Sequence, residues 1–162
     1  MKRHFLASEA ELPRFAAKLF PNHATPLVVM LKGTLGAGKT TLVRYIAHNL
    51  GIQGRITSPT FVLMNVYPPT NLHAVGLIHC DFYRLEGDEG FSILAELEEH
   101  QARFSAWVFV EWAERVPAFE SLADWQIEIS DSPNARCYTV ESLSPRGQLA
   151  LKSLDAKGVF IE

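Results

Sequence analysis

Cysteine is scarce. Cys80 and Cys137 are the only two, they lie in separate strand-like runs, and no C-x-x-C spacing occurs. That spacing argues against a thiolate metal site or a disulfide framework and leaves both as structural thiols. Long apolar runs are missing too, because Lys32 and the glycines after it interrupt the longest one well short of a bilayer span. The opening M-K-R-H-F-L-A-S-E-A-E carries too short an apolar part for a signal peptide. Positive charge is not in excess, and a formal net charge of −3 offers nucleic acid no global attractive field. Repeats, linkers and low-complexity segments are absent. N-K-x-D, the sequence a guanine-specific GTPase would need, is absent as well, and the only D-x-x-G, Asp155-Ala156-Lys157-Gly158, falls in the tail. What remains, 162 residues of which 48% are hydrophobic and 20% charged, predicts a single cytoplasmic domain (1–162) with a real core and no membrane partner.

The most informative stretch begins at Leu27. Leu27 to Leu31 is unbroken apolar sequence, as in a strand buried on both faces. Leu42, Ile46 and Leu50 then recur at helical spacing. Between them stands Gly33-x-x-x-x-Gly38-Lys39-Thr40, the phosphate-binding (Walker A) pattern in its strand–loop–helix setting. Glycines let backbone N–H groups converge on a phosphate without a Cβ in the way, and the following helix adds positive potential. Lys39 is placed to reach the β- and γ-phosphates, and the Thr40 hydroxyl to hold Mg²⁺.

The rest of the chain alternates between strand and helix signals. Arg3–Ala7 reads as an edge strand, and Ser8-x-x-Glu11 as a capping box opening a helix with Leu12, Phe15 and Leu19 on one face, ended by Pro21-Asn22. Thr60–Tyr67 and Val75–Tyr83, separated by a Pro/Asn turn, predict an antiparallel hairpin. Asp88–Arg103 predicts an acidic helix with Phe91, Leu94 and Leu97 inward, and Ala106–Val110 a second buried strand running into Glu111-Trp112. A short helix over Phe119–Asp124, a strand pair (Trp125–Ser130, Arg136–Leu143) and a last helix (Pro145–Leu154) complete an α/β domain with a mixed, mainly parallel sheet flanked by helices.

Hydrolysis needs more than a loop: a carboxylate at a neighbouring strand end to hold the Mg²⁺ shell, and a group to position water. Glu111 and Asp81 end apolar runs and are the candidates, Glu111 as the metal-side acid, Asp81 as metal-shell ligand or water-orienting group. Thr60, after a Gly/Arg-containing loop, is either a switch residue sensing the γ-phosphate or a plain strand start. His79 lies beside Asp81 without an assigned role, and His4, His23, His48, His73 and His100 have no ligand spacing and read as surface residues. Leu12 and Arg136 are expected to flank the adenine as an apolar or cationic lid.

The set Gly33-x-Leu35-Gly36-Ala37-Gly38-Lys39-Thr40-Thr41, Ser58-Pro59-Thr60-Phe61, His79-x-Asp81-x-Tyr83-Arg84-Leu85 and Glu111-Trp112 resembles, in order and spacing, the bacterial TsaE (YjeE) family, over about Leu27 to Arg115. The resemblance implies a phosphate-loop ATPase of tRNA threonylcarbamoyladenosine (t6A) biosynthesis, with ATP and Mg²⁺ as cofactors. Its partners would be TsaB and TsaD homologues, which transfer threonylcarbamoyl to adenosine 37 of tRNAs reading ANN codons, so that tRNA is met only indirectly. It implies phosphate and Mg²⁺ contacts for Lys39 and Thr40, a metal-side role for Glu111, a catalytic or metal-shell role for Asp81, a switch-like segment at Thr60, and Trp112 against the site. The resemblance further implies a place for Tyr83-Arg84 on the partner-facing or nucleotide-sensing surface. Two positions depart from the family pattern: Thr34 where an acid is common, and Ala113 where Pro is common. A nucleotide or small-metabolite kinase is the rival reading; it would want a cluster of arginines as a lid, and Arg44, Arg55, Arg84 and Arg115 are scattered in sequence. A module that binds nucleotide without hydrolysing it is separated from both only by kinetics.

Overall fold

In the computed structural model, which describes residues 1–21, 24–85 and 89–156, a seven-stranded sheet is built from β1 (Lys2–Ala7), β2 (Val28–Lys32), β3 (Met64–Tyr67), β4 (Gly76–Asp81), β5 (Ala106–Glu111), β6 (Trp125–Ser132) and β7 (Ala135–Ser142). Its spatial order is β1-β7-β6-β2-β5-β4-β3. Strands β6, β2, β5 and β4 run parallel; β7 and β1 extend the sheet antiparallel on one flank, and β3 closes the other antiparallel to β4. The helices are α1 (Leu12–Leu19), α2 (Lys39–Asn49), α3 (Glu89–Arg103), α4 (Pro117–Glu120) and α5 (Pro145–Ala156). This is the mixed sheet with a parallel centre that the strand signals predict.

Alternation along each strand divides the core into two layers. Val29, Leu31, Leu77, Trp107 and Phe109 pack with α1, α2 and α5, whereas Val28, Met30, Ile78, Val108 and Val110 pack with Ile93 and Leu97 of α3. Phe20 sits edge-on to Trp107 and Phe109, with ring centroids 5.1 and 5.3 Å away. Cys80 is buried in the second layer, where desolvation pushes its thiol pKa up and keeps it protonated; both cysteines are free thiols. No helix among the described residues is long and apolar enough to cross a membrane.

Four local expectations change. Glu11 Oε2 accepts from Ser8 N–H (2.9 Å), one half of the expected box, but also from the Ser8 hydroxyl (2.6 Å), which therefore does not cap the helix; a turn occupies 8–11 and α1 starts at Leu12. Thr60 is in a turn, not a strand: the Pro59 carbonyl accepts from Val62 N–H (3.0 Å) and Leu63 N–H (2.7 Å), and pairing with β4 begins only at Met64. Phe91 faces solvent at 73% exposure, because α3 turns Ile93 and Leu97 inward. The short helix falls at Pro117–Glu120, ahead of the expected Phe119–Asp124. Asn22, His23, Asp88 and the tail glycine of the D-x-x-G, Gly158, lie outside the described residues.

The N-terminal ends of the parallel strands are tied by Asp124. Its Oδ2 accepts from Val28 N–H (3.0 Å) and Arg146 Nη2 (2.6 Å), and its Oδ1 from the Ser144 hydroxyl (2.6 Å), joining the start of β2 to the first turn of α5. Burial pushes the Asp124 pKa up, but hydrogen bonds from Arg146, Ser144 and Val28 N–H outweigh it and hold the pKa below the ordinary carboxylate value. The stabilisation is therefore present above the unfolded-state pKa and is lost as pH falls through the lower folded-state value. Asp124→Ala is expected to destabilise the fold by about 1–3 kcal/mol at neutral pH, since Val28 N–H is left buried without its acceptor. Thermal unfolding at pH 7 and pH 3 checks this, with the gap between variant and wild type narrowing at the lower pH.

Candidate functional site

Strand register brings the site together. Leu31 of β2 lies beside Glu111 of β5, which lies beside Asp81 of β4, so the loop after β2 and both acids share the carboxyl edge of the parallel strands. The loop needs its glycines at particular points. Gly33 has φ +147°, and a Cβ there would stand 2.7 Å from the Ile129 carbonyl oxygen; Gly38, φ +101°, caps α2, and a Cβ there would meet the Arg136 guanidinium. The first turn of α2, whose N–H groups have no intrahelical acceptor, lines a cleft.

That cleft has a volume of about 370 Å³. Leu35, Gly36, Gly38, Lys39, Thr40 and Thr41 form its loop-side wall; Ser58, Thr60, Asp81, Tyr83, Glu111 and Trp112 face them. Gly33 and Ala37, expected from the sequence to bind nucleotide, are not among its lining residues; their carbonyls are taken by Lys39 and Arg136. The buried Lys39 donates from Nζ to the carbonyls of Gly33 (2.8 Å) and Thr34 (3.1 Å), with the Trp112 ring centroid 5.2 Å away. The Ala37 carbonyl accepts from Arg136 Nη1. Trp112 holds φ +59°, uncommon for a bulky residue, in the turn directly after Glu111.

The two acids are held differently. Glu111 Oε1 accepts from the Thr40 hydroxyl (3.0 Å) and pairs with His79 Nε2 (2.9 Å), and both acid and imidazole are buried. Asp81 Oδ2 accepts from the Thr60 hydroxyl (2.5 Å), which is 2.7 Å from the Ser58 hydroxyl, while Oδ1 accepts from Tyr83 N–H (3.0 Å). Thr40, Asp81 and Glu111 thus present hard oxygen donors to one space. Among the described residues no group of three or more His, Cys, Asp or Glu is placed to hold a metal ion by itself. Such a donor set fits Mg²⁺, which takes one or two carboxylates and fills its remaining positions with substrate phosphate oxygens and water.

Leu12 and Arg136 meet at a second cavity of about 230 Å³, lined also by Tyr138 and by Thr41, which borders the first cleft as well. Desolvation raises the Tyr138 pKa, leaving a neutral hydroxyl in that wall. Ser58 and the His79–Glu111 pair were not assigned from sequence. The available signal for His79 was its i, i+2 relation to Asp81, which puts both on one face of a strand. The scattered arginines are partly gathered: Arg84 and Arg115 share a hollow with Tyr83, but Arg84 lies over the Phe61 ring at 4.3 Å and Arg115 over the Tyr83 ring at 5.9 Å. His4, His48 and His73 are exposed, as expected, and His100 is half-buried.

Known proteins fit this arrangement. The family model for the threonylcarbamoyl adenosine biosynthesis protein TsaE matches residues 6–138. Among curated relatives, the tRNA threonylcarbamoyladenosine biosynthesis protein TsaE of Streptomyces coelicolor is 43% identical over 104 residues, 64% of this chain and 66% of that protein. Its namesake in Nostoc sp. is 37% identical over 118 residues, 72% of this chain and 71% of that protein. The chain thus spans about two thirds of the length of the first of these relatives. The crystal structure of YdiB from Bacillus subtilis superposes with a TM-score of 0.72 at 27% identity, covering 98% of this chain and 97% of that one.

Proposed function

The chain belongs to the TsaE family of t6A biosynthesis proteins, and from that premise we propose that it is a Mg²⁺-dependent ATPase supporting turnover of a TsaB–TsaD threonylcarbamoyl-transfer complex. The observation that carries this reading is the Thr40–Glu111 hydrogen bond, which joins the first turn after the phosphate loop to an acid on the neighbouring strand inside one cleft. ATP would lie with its phosphates along Gly33–Thr41 and its base toward Leu12 and Arg136, the shared Thr41 marking where the two cavities meet. On binding, Lys39 would exchange the Gly33 and Thr34 carbonyls for β- and γ-phosphate oxygens. Thr40 and Glu111, with Asp81, would hold Mg²⁺, which when bound would neutralise charge developing at the β–γ bridge. Asp81 and the Thr60 hydroxyl stand opposite the loop, where they would orient a water attacking the γ-phosphate. Trp112 covers the Lys39 end of the cleft.

Lys39 is the one cation lining the cleft among the described residues. Without a second cation for the transition state, hydrolysis by the isolated chain is expected to be slow. Adding TsaB and TsaD homologues is expected to raise the rate by an order of magnitude or more, because a cation supplied by a partner is worth roughly 10³–10⁵-fold in related phosphate-loop enzymes. Phosphate release from ATP, measured with the chain alone and with both homologues, tests this. A fast rate indifferent to the partners, or phosphate transfer to a small acceptor, would overturn it. Action on tRNA is indirect in this reading, through the complex, in the cytoplasm.

A further inference from the structure

We infer that His79 is a positioning residue that aims the Glu111 carboxylate, an inference that rests on the ATPase reading. Residue 79 is in the middle of β4, fully buried, beside Phe109 on β5, so its ring extends along the sheet face toward the acid two residues farther on. With Glu111 ionised, only Nε2–H can be the donor in the 2.9 Å bond to Oε1. The same oxygen takes the Thr40 hydroxyl at 3.0 Å, so both bonds fall on Oε1 and leave Oε2 outside them. That fixes which edge of the carboxylate faces the cleft.

The other ring nitrogen makes the case. Nδ1 is buried and, among the described residues, has no hydrogen-bond partner. An unpaired buried polar atom costs about 1–3 kcal/mol, so an apolar side chain would fill this place in the core more cheaply. The return on that cost is the single bond to Glu111. Carboxylates that serve a metal are generally steered by such outer partners, whose loss lowers metal affinity or activity roughly 10–100-fold.

His79→Ala is therefore expected to raise the Mg²⁺ concentration needed for half-maximal Mg²⁺-dependent ADP binding by about 10–100-fold, while Mg²⁺-free ADP binding stays unchanged. Trp112 fluorescence, in a background with Trp107 and Trp125 replaced by Phe, reads both. His79→Gln, whose side-chain amide can still donate to Oε1, is expected to restore the midpoint to within a few-fold of wild type and also keeps the core filled. Because His79 acts through Glu111, adding His79→Ala to Glu111→Ala is expected to shift the midpoint no further. An unshifted midpoint in His79→Ala, an equal loss in His79→Gln, or a full additional shift on top of Glu111→Ala would each overturn the inference. A wild-type chain whose ADP binding ignores Mg²⁺ would instead overturn the ATPase reading beneath it.

Discussion

Lys39→Ala is expected to abolish measurable nucleotide binding. In the free protein the ammonium is buried and donates to two loop carbonyls, 2.8 Å from that of Gly33 and 3.1 Å from that of Thr34. It is thus already at the loop, and little reorganisation separates this arrangement from one in which phosphate oxygens replace the carbonyls. Two charge-assisted bonds at about 1.5–3 kcal/mol each amount to roughly 10²–10⁴-fold in affinity. Removing Lys39 also removes the only cation in the cleft wall among the described residues, so phosphate charge would be met by backbone N–H groups and the α2 terminus alone, a contribution of about 0.3–1 kcal/mol from the dipole. Titration calorimetry with ATP and ADP reads the loss. Binding within a few-fold of wild type would show that the phosphates lie elsewhere. A parallel melt separates loss of the site from loss of the fold, since Gly33 and Thr34 carbonyls give up a donor in the variant.

The phosphate loop was legible because it is local: glycine chemistry, a buried strand before it and an amphipathic helix after it all fall within Leu27–Leu50. Strands β4 and β5 were legible for the same reason, their apolar runs ending on Asp81 and Glu111. That the two acids stand side by side was not, because it depends on the register of parallel strands whose carboxylates are 30 residues apart in sequence (111 − 81). The His79–Glu111 bond is hidden in the same way. Phase was the difficulty in α3, where Phe91, Ile93, Leu94 and Leu97 are all apolar. The spacing 91, 94, 97 drifts backward around a helix by about 60° per step, whereas 93 to 97 holds one face to within about 40°; the sheet selected the second pair. Thr60 misled through composition. A β-rich run begins there, yet the turn closed on the Pro59 carbonyl keeps its hydroxyl out of the ladder and on Asp81.

Glu111→Ala should separate hydrolysis from binding. Its carboxylate makes no bond to the loop backbone; its partners are the Thr40 hydroxyl and His79. At saturating Mg²⁺, nucleotide affinity is therefore expected to stay within several-fold of wild type, while Mg²⁺-dependent hydrolysis falls by about 10²–10³-fold, the scale of losing one preorganised electrostatic contact to the transition state. The alanine variant also strands His79 Nε2 in the core at a cost of about 1–3 kcal/mol, so its melting temperature should drop. Glu111→Gln resolves that ambiguity. Its amide oxygen still accepts from Thr40 and His79, so stability should be near wild type, but the negative charge that Mg²⁺ requires is gone, and hydrolysis should fall nearly as far. If the glutamine variant hydrolyses ATP at the wild-type rate, Glu111 serves the core and not the metal. If both variants lose binding as completely as Lys39→Ala, the loop and the strand-end acid form a single binding unit, and the division of labour between them fails.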